Sequence, residues 1–322
     1  MATAEQLKFL IQSHFEHDNT RFTTLALQVA AHEARAGHPQ LAVDIRRLID
    51  KAKDDKAKVI PFKADLGDLV IVDYDLRDRL ADLIVSGSMH SRIERVLKEF
   101  RQQDKLKQHG MRHRRKLLLC GPPGCGKTLS ASVIAGELNL PLCTVLMDKL
   151  VTKFMGETSA KLRLVFDTIA DRRGVYLFDE FDAIGAERNR DNDVGEIRRV
   201  LNSFLQLIER DQSDSLIIAA TNNHSMLDQA LFRRFDDVIT YGLPDAAERA
   251  RLLAQRLGRY KGKVAIAKLV AVAEGLSHAE IAMAVNDAIK DAILAGSETV
   301  DAKVLTAMLT ERHEAQHHGE GR

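Results

Sequence analysis

Gly121-Pro122-Pro123-Gly124-Cys125-Gly126-Lys127-Thr128 is the stretch on which the reading of this chain turns. It fits G-x-x-x-x-G-K-[ST], the pattern of a loop that wraps nucleoside triphosphate phosphates. The flanks suit that role. Leu117-Leu118-Leu119-Cys120 before it reads as a buried strand, and Leu129 to Leu138 after it reads as a helix. Glycines let backbone N–H groups approach phosphate oxygens, and the helix start adds partial positive charge. Gly121 to Leu129 is therefore the expected ATP cradle. Lys127 would reach the β- and γ-phosphates, and the Thr128 hydroxyl would bind Mg²⁺.

A second apolar run, Val175-Tyr176-Leu177-Phe178, ends in Asp179-Glu180. An acid at the end of a strand beside the phosphate loop can hold Mg²⁺, usually through water, which is the role expected of Asp179. Glu180 is expected to orient and deprotonate the attacking water, so the pair implies hydrolysis and not only binding. A further run, Leu216 to Ala220, ends in Thr221-Asn222. The Asn222 amide is expected between the other two strands, within reach of the γ-phosphate or the water.

The 322 residues carry a net charge of +1, so no bulk field draws the chain to nucleic acid or to an anionic membrane. The three cysteines, Cys120, Cys125 and Cys143, lack metal-ligand spacing. With Met1 to Asp18 charged and amphipathic, unlike a secretory leader, they point to a reducing cytoplasm. No segment approaches the ~20 apolar residues of a membrane span. Cys125 has two readings: a thiolate favoured by Lys127 and a helix N-terminus, or a small residue that merely fits.

Outward from the loop, strand candidates at 117–120, 141–146, 175–178, 216–220 and 237–241 alternate with helices. That alternation predicts an α/β fold, a five-stranded parallel sheet covered on both faces. Residues 1–55 read as a small all-α domain of three short helices over 3–53, broken at Ala36-Gly37-His38-Pro39. Residues 56–84 read as a linker, irregular or briefly extended from Pro61 to Asp75. Arg77 to Phe100 reads as helix. The α/β unit spans 85–243, a helical unit spans 244–312, and 313–322 reads as a disordered tail. Arg112-His113-Arg114-Arg115-Lys116 is either a solvated strand entrance or a nucleic-acid contact; the aromatics that stack bases are missing.

From about Leu83 to Leu305 the chain resembles the AAA family of P-loop NTPases, ring-forming ATPases. The motifs are G-P-P-G-C-G-K-T, L-F-D-E-F-D, A-A-T-N and Ala230-Leu231-Phe232-Arg233-Arg234-Phe235-Asp236. The core is most similar to compact bacterial cell-division-cycle-48-like ATPases. The resemblance implies that Arg233 and Arg234 are arginine fingers reaching the ATP of a neighbouring subunit, and hence a homo-oligomer, with a hexamer as the family norm. It implies that Phe154, Met155 and Gly156 form a pore loop gripping a protein substrate, with Gly156 allowing a tight turn; the alternative is that the two apolar residues are core. Glu187 to Gly195 resembles a second pore loop, or is an ordinary surface loop. Gly275-Leu276-Ser277-His278-Ala279-Glu280-Ile281 resembles the lid motif near the nucleotide base. His278 stands where the family usually has glycine; it would lie near adenine, narrow the pocket or face solvent. Asp73 to Leu76 would also contact the base. The N-terminal helices would choose the substrate or partner. A protease of the subtilisin class is the partner that similar ATPases suggest.

Overall fold

The computed structural model describes residues 8–9, 19–55, 69–151, 155–184, 194–222 and 232–319. The chain forms two compact units, Met1–Pro61 and Phe62–Arg322. The first contains a hairpin of two helices, Asn19–Arg35 and Pro39–Asp55. Its turn follows the expected break: Gly37 has φ +90, and His38 Nδ1 lies 2.8 Å from Glu33 Oε2. Ala26, Val29, Ala30 and Ala42 are buried. The second helix runs to Asp55, two residues past the expected helical stretch. Most of the first expected helix lies outside the described residues.

The second unit is built on a sheet of six strands: β1 (Val70–Asp73), β2 (Lys116–Cys120), β3 (Leu142–Val145), β4 (Val175–Phe178), β5 (Leu216–Thr221) and β6 (Asp237–Thr240), in the order β1-β3-β4-β5-β2-β6. Five are parallel, as the alternation predicts. The sixth corrects the expected count. β1 comes from the supposed linker and pairs antiparallel with β3. It does so because Leu69 and Val70 bury against the core while Ile71 and Asp73 stay exposed.

Alternation along β2 shows why the sheet is covered twice. Leu118 and Cys120 face one cluster, packed by the helices Met155–Asp171 and Val194–Arg210. Leu117 and Leu119 face another, packed by Gly87–Arg101 and Lys127–Leu138. Each fully buried leucine contributes roughly 1.5–3 kcal/mol. The helix expected from Arg77 begins only at Gly87, where the Ser86 hydroxyl accepts from the Met89 N–H at 3.3 Å. Ahead of it, a short 3-10 turn at Leu80–Asp82 lies against Lys127–Leu138: Asp78 accepts from Ser132 Oγ at 2.9 Å, and Glu137 accepts from the Leu80 N–H at 3.3 Å.

A third cluster lies within the helices Ala246–Leu257, Ile266–Val272, His278–Leu294 and Ala302–Gly319. The last helix continues through 313–319, read as disordered. Within it the His313 ring reaches the Val272 carbonyl at 2.9 Å, so its first residue beyond Arg312 is anchored.

Candidate nucleotide site

In a parallel sheet all carboxyl ends share one edge, and ligands bind where strand order reverses. Here β2 runs between β5 and β6, and the phosphate loop leaves its carboxyl end. Gly121 has φ +148, and a Cβ there would lie 2.4 Å from the Tyr241 carbonyl oxygen. Gly124 has φ +73, and its Cβ would lie 2.6 Å from Ser277 Oγ. Only glycine suits either position. The Gly124 carbonyl accepts from the Ala279 N–H at 3.0 Å, which ties the loop to the first turn of His278–Leu294.

Lys127 opens the helix after the loop and is only 6% exposed. Its Nζ donates to the carbonyls of Gly121 at 2.7 Å and Pro122 at 2.8 Å, and to Asn222 Oδ1 at 2.8 Å. All three acceptors are neutral. Burial lowers the lysine pKa, with Asp179 and Asp182 among the groups acting the other way. A buried ammonium held by neutral dipoles fits a nearby anion such as a phosphate. Thr128 Oγ1 donates to Asp179 Oδ2 at 2.6 Å, which brings together two hard oxygens of the kind Mg²⁺ takes. Asp179 Oδ1 accepts from the Glu180 N–H at 2.9 Å. Asp182 Oδ1 accepts from the Asn222 N–H at 3.2 Å and so ties the end of β5 to the segment after β4.

These groups share a cavity of about 400 Å³. Pro123 to Leu129, Asp179, Glu180 and Asn222 line one part of its wall; Asp82, Leu83, Ile84, Leu252, Arg256, His278, Ala279 and Ala282 line the rest. The volume and the mix of apolar wall with convergent polar groups suit a nucleotide.

The model of the ATPase family associated with various cellular activities (AAA) matches residues 117–243. The AAA family ATPase y4kL of Sinorhizobium fredii is 35% identical over 301 residues, covering 91% of this chain and 90% of y4kL. The ATP-dependent zinc metalloprotease FtsH of Mycoplasmopsis synoviae is 34% identical over 239 residues, 71% of this chain but 35% of FtsH. The proteasome-activating nucleotidase of Pyrococcus furiosus is 39% identical over 174 residues, 51% of this chain and 44% of the nucleotidase.

This chain belongs to the AAA family of ATPases.

In this AAA ATPase, the remaining expected site residues are distributed unevenly. His278 and Ala279 line the cavity; both His278 ring nitrogens are buried without a hydrogen-bond partner, and burial lowers the ring pKa. Asp73 to Leu76 do not line it, which corrects that expectation. The chain reaches the cavity only at Asp82 to Ile84, after crossing the helix Lys127–Leu138. Cys125 is 1% exposed, and burial pushes its thiol pKa up, against the smaller opposing effect of Lys127. The small, fitting residue is the reading that stands, and the thiolate is not.

Arg233 and Arg234 do not line the cavity. Arg233 is exposed, and Arg234 Nε lies 3.3 Å from Glu209 Oε2. Phe154 lies outside the described residues, as do 187–193. Met155 and Gly156 start the helix Met155–Asp171; Gly156 is helical and exposed, so the expected tight turn is not at this glycine. In the basic stretch, Arg114 pairs with Glu99 and Arg115 with Asp211, the latter pair buried. The Arg115 charge is thus spent inside the fold, the Arg114 pair is half-buried, and Arg112 stays exposed.

Sequence reasoning missed Asp82 to Ile84, Leu252, Arg256 and Asp182. Asp182 carried a signal, three residues beyond Asp179 in the same acidic run. The others, the short run Asp82 to Ile84 and the isolated Leu252 and Arg256, show no motif.

Proposed function

We propose that this AAA ATPase hydrolyses ATP within a homo-oligomeric ring, a hexamer by family norm, and uses the cycle to remodel or unfold a protein partner at a central pore. The observation that carries the catalytic part is the meeting of Lys127, Thr128, Asp179, Glu180 and Asn222 on one cavity. Thr128 and Asp179 would hold Mg²⁺, which supplies charge neutralisation at the phosphates. Lys127 would exchange its carbonyl and amide acceptors for phosphate oxygens. That exchange releases the Asn222 amide to orient water, and Glu180 takes the proton. Arg234, with Arg233, would complete the site of a neighbouring subunit. The protein-handling part is supported by relatives named for proteolysis and proteasome activation, matched over less than half of their length. A proteolytic enzyme is the partner class this suggests, and the cytoplasm is the expected setting.

Glu180→Gln tests the catalytic assignment. The variant is expected to bind ATP with near wild-type affinity and to lose turnover by about 10²–10⁴-fold. Turnover within threefold of wild type would remove Glu180 from its role. Fingers acting in trans have a separate test. Glu180→Gln and Arg234→Ala, each inactive alone, should regain measurable ATPase when mixed, because some sites would then combine an intact Glu180 with a neighbour's intact Arg234. A mixture no more active than its components would place Arg234 elsewhere.

A further inference from the structure

We propose that Tyr241 and Ser130 are positioning residues of the nucleotide site, a hydrogen-bond chain that aims the backbone of the phosphate loop at its ligand; this rests on the reading of the cavity as an ATP site. Neither residue lines the cavity. Tyr241 directly follows β6, Ser130 lies in the first turn of Lys127–Leu138, and both are buried. Tyr241 Oη donates to Ser130 Oγ at 2.7 Å, and Ser130 Oγ donates onward to the Gly126 carbonyl at 2.9 Å.

The chain has one direction. A carbonyl has no proton to give, so the single proton of the Ser130 hydroxyl goes to Gly126. The Ser130 oxygen is then left to accept, and Tyr241 is its donor. Burial keeps that donor protonated, with the phenol pKa pushed up to about 12.

The consequence falls on one peptide plane. The Gly126 carbonyl accepts twice from Ser130, from the hydroxyl and from the N–H, both at 2.9 Å. In a trans peptide the carbonyl and the next N–H point in opposite directions. A Gly126 carbonyl held along the helix therefore aims the Lys127 N–H out of the helix start, where an anion binds. Packing does not fix this plane: Gly126 has φ +93, and a Cβ there would meet nothing within 4 Å. Tyr241 also holds the other end of the loop. Its N–H donates to the Cys120 carbonyl at 2.7 Å, and its own carbonyl oxygen is the atom 2.4 Å from a Cβ on Gly121. A loop fixed at both ends before the nucleotide arrives loses less freedom on binding.

The test is ADP binding to the full chain by calorimetry, beside denaturant unfolding of the nucleotide-free chain, whose transition confirms that each variant folds. Tyr241→Phe keeps the ring and the backbone contacts and removes only the hydroxyl. Ser130→Ala removes the middle of the chain. Each is expected to lower ADP affinity by about three- to tenfold. The double variant should lose no more than the larger single loss, because either break already opens the chain. A residue that merely packs would lower stability and leave ADP affinity unchanged, and that result in either single variant would overturn the proposal. Losses that multiply in the double variant would overturn it too, by showing two independent contacts. Failure of wild type to bind ADP would instead overturn the reading of the cavity as a nucleotide site.

Discussion

Glu180 has φ +50, one of two described non-glycine residues in the left-handed region, the other being Asn139 at the end of a helix. That conformation costs a residue with a Cβ about 1–2 kcal/mol. Strain of this kind persists where surroundings impose it, and here Asp179 Oδ1 holds the Glu180 N–H. Glu180→Gly should therefore be more stable than Glu180→Ala by about 1 kcal/mol in denaturant unfolding without nucleotide, and both are expected to lose catalysis under the proposed role of Glu180. Equal stability of the two would mean that the backbone relaxes at no cost. The cysteines allow a second check. Burial pushes Cys120 to about 11 and Cys143 to about 12, and raises Cys125. None should react with an alkylating agent at pH 8 until the chain unfolds; rapid labelling of Cys125 in the native protein would contradict its burial. The identities of Lys127, Thr128, Asp179 and Glu180 were legible because each stands in or beside a contiguous motif. The strain at Glu180 and the direction of His278 were not, because both are set by neighbours from other segments.

The helix Lys127–Leu138 carries a glycine, Gly136, where propensity alone would favour alanine by about 1 kcal/mol. Packing explains it. A Cβ there would lie 2.8 Å from Arg79 Nη1 and 3.0 Å from the Asp78 carbonyl oxygen. The arginine could swing aside, but the carbonyl belongs to the backbone. Gly136→Ala should thus destabilise the protein by about 1–3 kcal/mol despite its better propensity. It should also weaken nucleotide binding, since the displaced segment leads into Leu83 and Ile84 at the cavity wall. A rise in melting temperature would show that the segment yields freely. The same crossing segment explains why the helix expected from Arg77 starts ten residues late. Its apolar residues, Leu76 and Leu80, pack on the core without forming an α-helix, a tertiary preference that spacing does not reveal.

Among the described residues two histidines, the buried His113 and the half-buried His278, have pKa values lowered chiefly by desolvation. The unfolded chain would take up protons near the ordinary histidine value of about 6.5 where the folded protein does not. Stability from these groups is therefore full above that pH and is lost as the pH falls below it. Melting temperature should drop between pH 7.5 and pH 5.5, and His113→Phe, which keeps a ring against Phe100, should flatten that slope. A slope unchanged by the substitution would assign the effect to other groups. Among the described residues no helix is long and apolar enough to cross a membrane.

The α/β class, the five parallel strands, the phosphate loop and the Asp179-Glu180 pair could be read from the chain alone. Each depends on residues that are neighbours in sequence: an apolar run that must be buried, or a loop whose glycines and lysine act together. Folding was needed to add β1 to the sheet edge, to bring Asp82 to Ile84 and Arg256 from separate segments to one cavity, and to turn His278 inward. Folding also paired the charges of Arg114 and Arg115 with Glu99 and Asp211. These outcomes depend on which surfaces pack together across long sequence separations, and a single residue carries no local record of the partner it will meet.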